Sequence, residues 1–324
     1  MPRRPCAATR TRREPDSTRE AVEPQATGDA MFSSTIVPTV GRPTLAHAVA
    51  SVLDQDVAHD FEIVVVNDSG APLPPEPWQT SPRVRVVATN RHERSFARNA
   101  GAAAARGRYL HFLDDDDLLL PGALEAFASL ADREPSAAWL SAAWETVDNA
   151  GRRVEAFHPH LTGNIFALLV AGEGLPMQAC LVRADAFFGA GGYDPAPILT
   201  GVEDRDLGRR LALTGSIAYT DVLAARIRIG EVNSTTNWLT IAEGDRHGRE
   251  KALSAPASFG RMWTSAATGY WRGRATRAYV ASGARNFRRL RLATATGRLA
   301  CAASLAAWYP LTAGFWRGLT TKVR

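Results

Sequence analysis

The chain has 324 residues, 45% hydrophobic and 22% charged, a globular balance with length for one large α/β domain and an accessory region. Three cysteines, Cys6, Cys180 and Cys301, lie far apart without metal-ligand spacing, which argues against a disulfide framework or zinc site and fits a reducing, cytoplasmic setting. The net charge of +5 hides an asymmetry: thirteen Lys or Arg and no Asp or Glu follow Glu250, so a tail of +13 adjoins a body of −8.

Residues 1–30 lack the apolar stretch of a signal peptide and are rich in Arg, Pro, Thr and Glu, so they read as a disordered extension. Met31 stands directly before a strand and is the expected native start. Phe32 to Val37 reads as a short buried strand, and Pro38-Thr39-Val40-Gly41-Arg42-Pro43 as the loop after it. Leu45, Ala48, Val49, Val52 and Leu53 recur at helical spacing. A second strand, Phe61 to Val66, ends at Asn67-Asp68-Ser69-Gly70. A Pro-rich excursion over 71–82 precedes a third strand, Val84 to Ala88. An alanine-rich helix, Ser95 to Arg106, leads to a fourth strand, Tyr109 to Leu113. The order β-α-β-β-α-β predicts a mostly parallel, doubly wound sheet flanked by helices.

The second half alternates less cleanly. Ala137 to Ala143 reads as a strand, Asp148-Asn149-Ala150-Gly151 as a turn, and Glu203 to Thr214 as a helix stopped by Gly215. Basic helices run from about Ala266, interleaved with Trp271, Phe287, Trp308, Phe315 and Trp316. Leu299 to Trp316 carries no charge, but Pro310, Gly314 and many small residues weaken it as a membrane span, and a packed or amphipathic helix is expected. A basic, aromatic tail suits either an anionic membrane surface or packing on the acidic body. Nucleic acid is not expected, since no binding motif accompanies the charge.

Four consecutive aspartates, Asp114 to Asp117, close the fourth strand. Carboxylates this close repel one another and need a cation or hydrogen-bond donors to stay ionised together. The carboxyl end of such a strand opens on the crevice where α/β sheets bind ligands. A divalent cation holding a diphosphate fits, because hard cations take oxygen ligands and share them with phosphates. The plainer use, an acidic loop capping the helix near Pro121, stays open on the cluster alone.

Six motifs occur in order: Pro38 to Pro43, Val66-Asn67-Asp68-Ser69, Ala97-Arg98-Asn99-Ala100-Gly101, Phe112 to Asp117, Gly191-Gly192-Tyr193-Asp194, and Glu203-Asp204-Arg205-Asp206-Leu207. Together they resemble a family 2 inverting glycosyltransferase of GT-A fold over about Phe32 to Thr235. The resemblance implies that Pro38, Thr39 and Arg42 line the nucleotide pocket and that Asp68 accepts the N3–H of uracil or thymine. It places Arg98 near the nucleotide or diphosphate, Asp114 and Asp115 toward ribose or metal-bound water, and Asp116 on a magnesium or manganese ion. Asp117 is expected to cap the next helix. Asp204 takes the catalytic-base position, Glu203 either raises the proton affinity of Asp204 or binds acceptor, and Asp194 is a structural or sugar-binding residue. The two glycines before it are expected to let that loop close over donor and acceptor.

One stretch departs from the pattern. Related enzymes carry R-x-H-x-x-N-x-S after the base helix, whereas this chain has Gly230 at the histidine position, with His158, His160 and His247 not evident substitutes.

The expected organisation is a disordered extension over 1–30, a GT-A domain over 31–240 and a basic helical region over 241–324. The expected activity is transfer of a hexose-type sugar from a UDP- or dTDP-sugar to the hydroxyl of a glycan, lipid-linked or small-molecule acceptor. It is placed in the cytoplasm, with peripheral contact at the inner membrane face through the basic tail. A catalytically silent nucleotide-sugar-binding or membrane-scaffold protein is the alternative, and a nucleotidyltransferase a weaker one, lacking its Gly-rich basic first loop.

Overall fold

A computed structural model describes residues 31–230, 238–265, 269–308 and 312–321. The extension over 1–30, with its proposed boundary, and Glu231 to Thr235 of the departing stretch lie outside these residues.

The first half follows the predicted order: β1 (Ser33–Thr39), α1 (Leu45–Leu53), β2 (Phe61–Asn67), β3 (Val84–Ala88), α2 (Arg94–Ala104) and β4 (Tyr109–Phe112). These four strands are mutually parallel in the order β3-β2-β1-β4. Side chains alternate across a strand, so Ile63 and Val65 point to one apolar layer with α1 while Val64 and Val66 point to the other with Ala97 and Ala102 of α2. Both faces of β2 are therefore dry, which is why Ile63 to Val66 reads as an unbroken apolar run.

The second half comprises β5 (Leu118–Leu119), α3 (Ala123–Arg133), β6 (Trp139–Val147), β7 (Arg153–Phe157), α4 (Phe166–Val170), β8 (Cys180–Arg183), α5 (Ala184–Gly189), α6 (Glu203–Thr214) and β9 (Ile217–Arg228). The sheet continues as β4-β8-β6-β9-β5, with β7 on β6. Here β8 runs antiparallel to both neighbours, while β9 lies parallel to β6. The insertion of β8 beside β4 brings the preceding Met177–Ala179 turn up to the aspartate run. Gly215 does end α6, yet its φ of −134° is ordinary extended backbone. A Cβ there would sit 2.1 Å from that of Ala138, so close approach of α6 to β6 demands the glycine.

The remaining helices are α7 (Trp238–Ser254), α8 (Ser258–Trp263), α9 (Gly269–Arg288), α10 (Leu292–Trp308) and α11 (Ala313–Thr320). Ala275, Tyr279 and Leu305 belong to the same buried cluster as Trp139, Phe166 and Leu207, so the basic helices share the core. The last acidic residue of the chain fastens them: Glu250 on α7 accepts from Ser282 and Asn286 and pairs with Arg285 and Arg298. Burial would raise that carboxyl, but the Ser282 and Asn286 hydrogen bonds and the nearby arginines hold it below its ordinary value. Intramolecular packing thus accounts for part of the tail's charge. Among the described residues no helix is long and apolar enough to cross a membrane.

Candidate active site

Parallel register sets the site. Thr39 pairs with Asn67, and the Asp68 N–H donates to the Thr39 carbonyl at 2.8 Å, while Leu113 N–H donates to Ile36. The carboxyl ends of β1, β2 and β4 therefore deliver Thr39, Asp68 and Asp114 to one edge of the sheet.

Asp68 is 3% exposed and its carboxylate accepts from Thr89 Oγ1 and from the backbone N–H groups of Arg91 and Glu93, at 2.7–2.8 Å. Burial opposes the charge, but these donors hold the carboxyl below its ordinary range. In this geometry Asp68 clamps the loop that starts α2. Glu93 then caps that helix by accepting from the Ser95 and Phe96 N–H groups. The clamp fixes the turn from which Arg94 and Arg98 project.

The aspartates divide by partner. Asp115 accepts from Thr39 Oγ1 at 2.6 Å and from Arg42 at 2.8 Å, and Arg42 also reaches Asp116 at 3.1 Å. Asp114 accepts from Arg98 at 2.6 Å and from the Gln178 amide at 3.0 Å. Burial would raise Asp114, yet Arg98 beside it keeps the carboxyl below the usual value. Asp117 does not cap a helix: α3 starts after Gly122, and Asp117 is buried, accepting from Gln178 and from the Arg228 N–H at 3.0 and 2.8 Å. It lies too far before α3 in the chain to reach its N-terminus. Burial first, and then repulsion from Asp114, push the Asp117 carboxyl well above the ordinary range. Oxygens of Asp114, Asp116 and Asp117 lie within 4.8 Å of one another, a hard-donor set that fits a divalent cation.

Across the cleft, Glu203 and Asp204 open α6. Glu203 is 5% exposed and receives Arg98 at 3.3 Å and Arg94 at 3.4 Å. Asp204 is partly buried and accepts from the Tyr193 hydroxyl at 3.0 Å. Burial is the largest influence on Asp204, raising it; Glu203 and Asp114 add to this against the pull of Arg98, and the carboxyl is pushed up to about 6.

Tyr193 comes from the diglycine motif. Gly192 has φ +64° and a Cβ there would meet Asn99 Oδ1 at 2.8 Å. Asn99 in turn exchanges hydrogen bonds with the Tyr193 backbone, both at 2.8 Å. The glycines here let the loop be pinned against α2, with Tyr193 aimed at Asp204 and the Arg98 guanidinium 5.2 Å over its ring. Asp194 accepts from Lys251 at 2.5 Å and from the Ala196 N–H, a structural tie to α7.

Two cavities meet here. One, of about 370 Å³, is lined by Pro38, Thr39, Arg42, the four aspartates and Gln178. The other, of about 660 Å³, holds Asp204, Glu203, Arg205, Trp144, Phe157 and His158. Arg94, Arg98 and Asp114 line both, so the aspartates and Asp204 face one continuous cleft. Asp68 is not among the residues that line either cavity.

Several participants escaped the sequence reading. Gln178 bridges Asp114 and Asp117, and its carbonyl is held by the fully buried His111, whose other ring nitrogen meets Thr35. Burial lowers His111 to about 4, so the ring is neutral and serves as a positioning group. His158 borders the larger cavity, paired with Asp221 at 2.7 Å. Arg94 and the stacked pair Trp144 and Phe157 carried no motif of their own, and Tyr193 stood in the diglycine motif without a role assigned to it; the Trp144 and Phe157 rings lie 5.1 Å apart at 13°. The departing stretch begins where expected, since the Arg228 N–H meets Asp117, but two residues on Gly230 offers no side chain.

A mixed sheet whose strand ends gather aspartates opposite a helix-borne carboxylate, with helices on both faces, has the architecture of the GT-A fold. The family model described as glycosyl transferase family 2 matches residues 34–169. The succinoglycan biosynthesis protein ExoO of Rhizobium meliloti is 39% identical over 92 residues, 28% of this chain and 26% of that protein. An uncharacterised glycosyltransferase of Haemophilus influenzae is 27% identical over 178 residues, 53% of this chain and 59% of that protein. The matches thus span about a quarter to three fifths of these relatives' own length. Among solved structures, S. aureus TarS 1–349 in complex with UDP-GlcNAc superimposes with a TM-score of 0.58 at 16% identity, covering 88% of this chain and 95% of that one. A second structure, of S. aureus TarS, gives 0.51 at 15%, over 86% of this chain and 55% of that one. The likeness to TarS establishes the shared fold.

Proposed function

We propose that the chain transfers a hexose-type sugar from a UDP- or dTDP-sugar to an acceptor hydroxyl with inversion, giving a β linkage from an α-linked donor. The observation that carries this reading is the single cleft in which the aspartate cluster and Asp204 stand on opposite sides of Arg98. The TarS complex with UDP-GlcNAc, on the same fold, supports a uridine nucleotide as donor.

The donor lies in the smaller cavity, with Pro38, Thr39 and Arg42 around nucleotide and diphosphate and Asp68 shaping the base side. Asp114, Asp116 and Asp117 would hold a magnesium or manganese ion, whose chemistry is to offset charge on the departing diphosphate. Arg42 and Arg98 bring positive charge to the same phosphates. Asp204 takes the proton of the acceptor hydroxyl as that oxygen bonds to the anomeric carbon and the bond from that carbon to the diphosphate breaks. Glu203 keeps its neighbour's proton affinity high, and the Tyr193 hydroxyl fixes the orientation of the base.

The acceptor occupies the larger cavity. The paired rings of Trp144 and Phe157, flanked by Arg205, Glu173 and His158, offer an apolar face with a polar rim, suited to a sugar ring. That favours a glycan acceptor, free or lipid-linked, over an aromatic metabolite. The setting is the cytoplasm, with the tail at the inner membrane face.

UDP release from UDP-hexoses tests the reading. Slow release that requires added magnesium or manganese, falls with chelator, and rises with an oligosaccharide acceptor is expected. UDP binding with no release under any metal or acceptor contradicts it and marks a silent binding protein.

A further inference from the structure

We infer that the turn joining α9 to α10 is a docking site for anionic phospholipid membranes, with a cationic cavity behind it that receives a lipid phosphate. This rests on the membrane contact of the tail proposed above and gives it a place on named residues, apart from the transferase chemistry.

Six successive residues at this turn, Phe287-Arg288-Arg289-Leu290-Arg291-Leu292, are all exposed, alternating cations with large apolar side chains. Phe287 is 62%, Leu290 83% and Leu292 55% exposed. Lone exposed apolar residues are unremarkable on a surface; three in one projecting turn, interleaved with three arginines, are not. Leu290 also takes left-handed backbone, φ +57°, a conformation that favours glycine. The fold keeps a leucine there regardless, at the tip of the turn.

Behind the tip lies a cavity of about 140 Å³ whose wall includes Arg246, His247, Arg285, Arg289 and Arg291. Glu250 and Glu243 are its acids, and Glu250 is occupied by Ser282, Asn286, Arg285 and Arg298. Among the described residues, Arg246, Arg288, Arg289 and Arg291 form no ion pair. Guanidinium groups outside any ion pair, next to exposed apolar side chains, match a bilayer surface: phosphates for the guanidinium groups and acyl chains for Phe287 and Leu290. A soluble polyanion would leave the apolar half of the patch unused.

The patch also adjoins the reaction cleft. Ile198 lines the cationic cavity, and three residues later Gly201 lines the acceptor cavity.

Sedimentation of the full chain with vesicles tests this, comparing phosphatidylcholine alone with phosphatidylcholine containing phosphatidylglycerol. Binding to the anionic vesicles only, weakening with salt, is expected. Arg288→Gln, Arg289→Gln and Arg291→Gln combined should weaken binding about a hundredfold, from about fivefold per arginine. Phe287→Ser with Leu290→Ser should weaken it at least about tenfold. These side chains are exposed, and circular dichroism of each variant checks the fold. Wild-type protein left in the supernatant, variants that bind as the wild type does, or capture by duplex DNA but not by vesicles would each overturn the inference.

Discussion

Arg98 and Glu203 stand 105 residues apart in the chain, yet their side chains meet at 3.3 Å where the two halves of the cleft join. The other arm of the same guanidinium holds Asp114 at 2.6 Å. One buried cation thus sets the spacing between the aspartate cluster and the helix that carries Asp204.

Removing that cation should cost more than activity. Arg98→Met leaves Glu203 and Asp114 facing each other with no buried counter-charge, and breaking such a pair destabilises by about 3–5 kcal/mol. A urea midpoint well below that of the wild type is expected, with Arg98→Lys between the two, since a point charge cannot span both carboxylates. An unchanged midpoint for Arg98→Met would show that the bridge does not join the halves.

Asp204 ties activity and stability to pH in opposite senses. Its carboxyl is raised from the ordinary 3.8 to about 6, so kcat/KM should climb with pH through about 6 as the base ionises. A raised value means that the protonated form favours the folded state: this contribution is present below the unfolded value and lost as pH rises through about 6. Asp204→Asn never ionises, so at pH 7.5 it should be more stable than the wild type by on the order of 3 kcal/mol, a gap that closes by pH 4. Thermal melts of both proteins at the two pH values check this; a gap independent of pH would disprove it.

The sequence carried the first half of the fold because both faces of that sheet are buried, and apolar runs such as Phe61 to Val66 need no tertiary information to be read. It was less informative about β8 and β9, whose pairings depend on β6 and leave half-exposed stretches such as Thr220 to Leu223. The basic helices were legible as helices, but their attachment through Glu250 joins residues more than thirty positions apart and leaves no local pattern. In the site, Asp114 to Asp117 stood out because like charges in a row are conspicuous, whereas Asp204 was picked out only by its place in the motif that carries the resemblance. Gln178, Arg94 and Trp144 did not stand out: an amide, a guanidinium and an indole announce nothing until the fold shows what they face. Asp117 misled for a physical reason, since an acid just ahead of a helix ordinarily caps it, whereas here the intervening Leu118–Leu119 strand turns the side chain inward.

The proposed donor site and the proton-accepting carboxylate share a cleft but do separate work. Asp204→Asn separates them in one comparison, with UDP affinity from calorimetry set beside the rate of sugar transfer. UDP binding within about twofold of the wild type, with transfer reduced by about a thousandfold or more, is the predicted result. Transfer that survives the substitution, or UDP affinity lost in step with it, would contradict the assignment of Asp204 as the base.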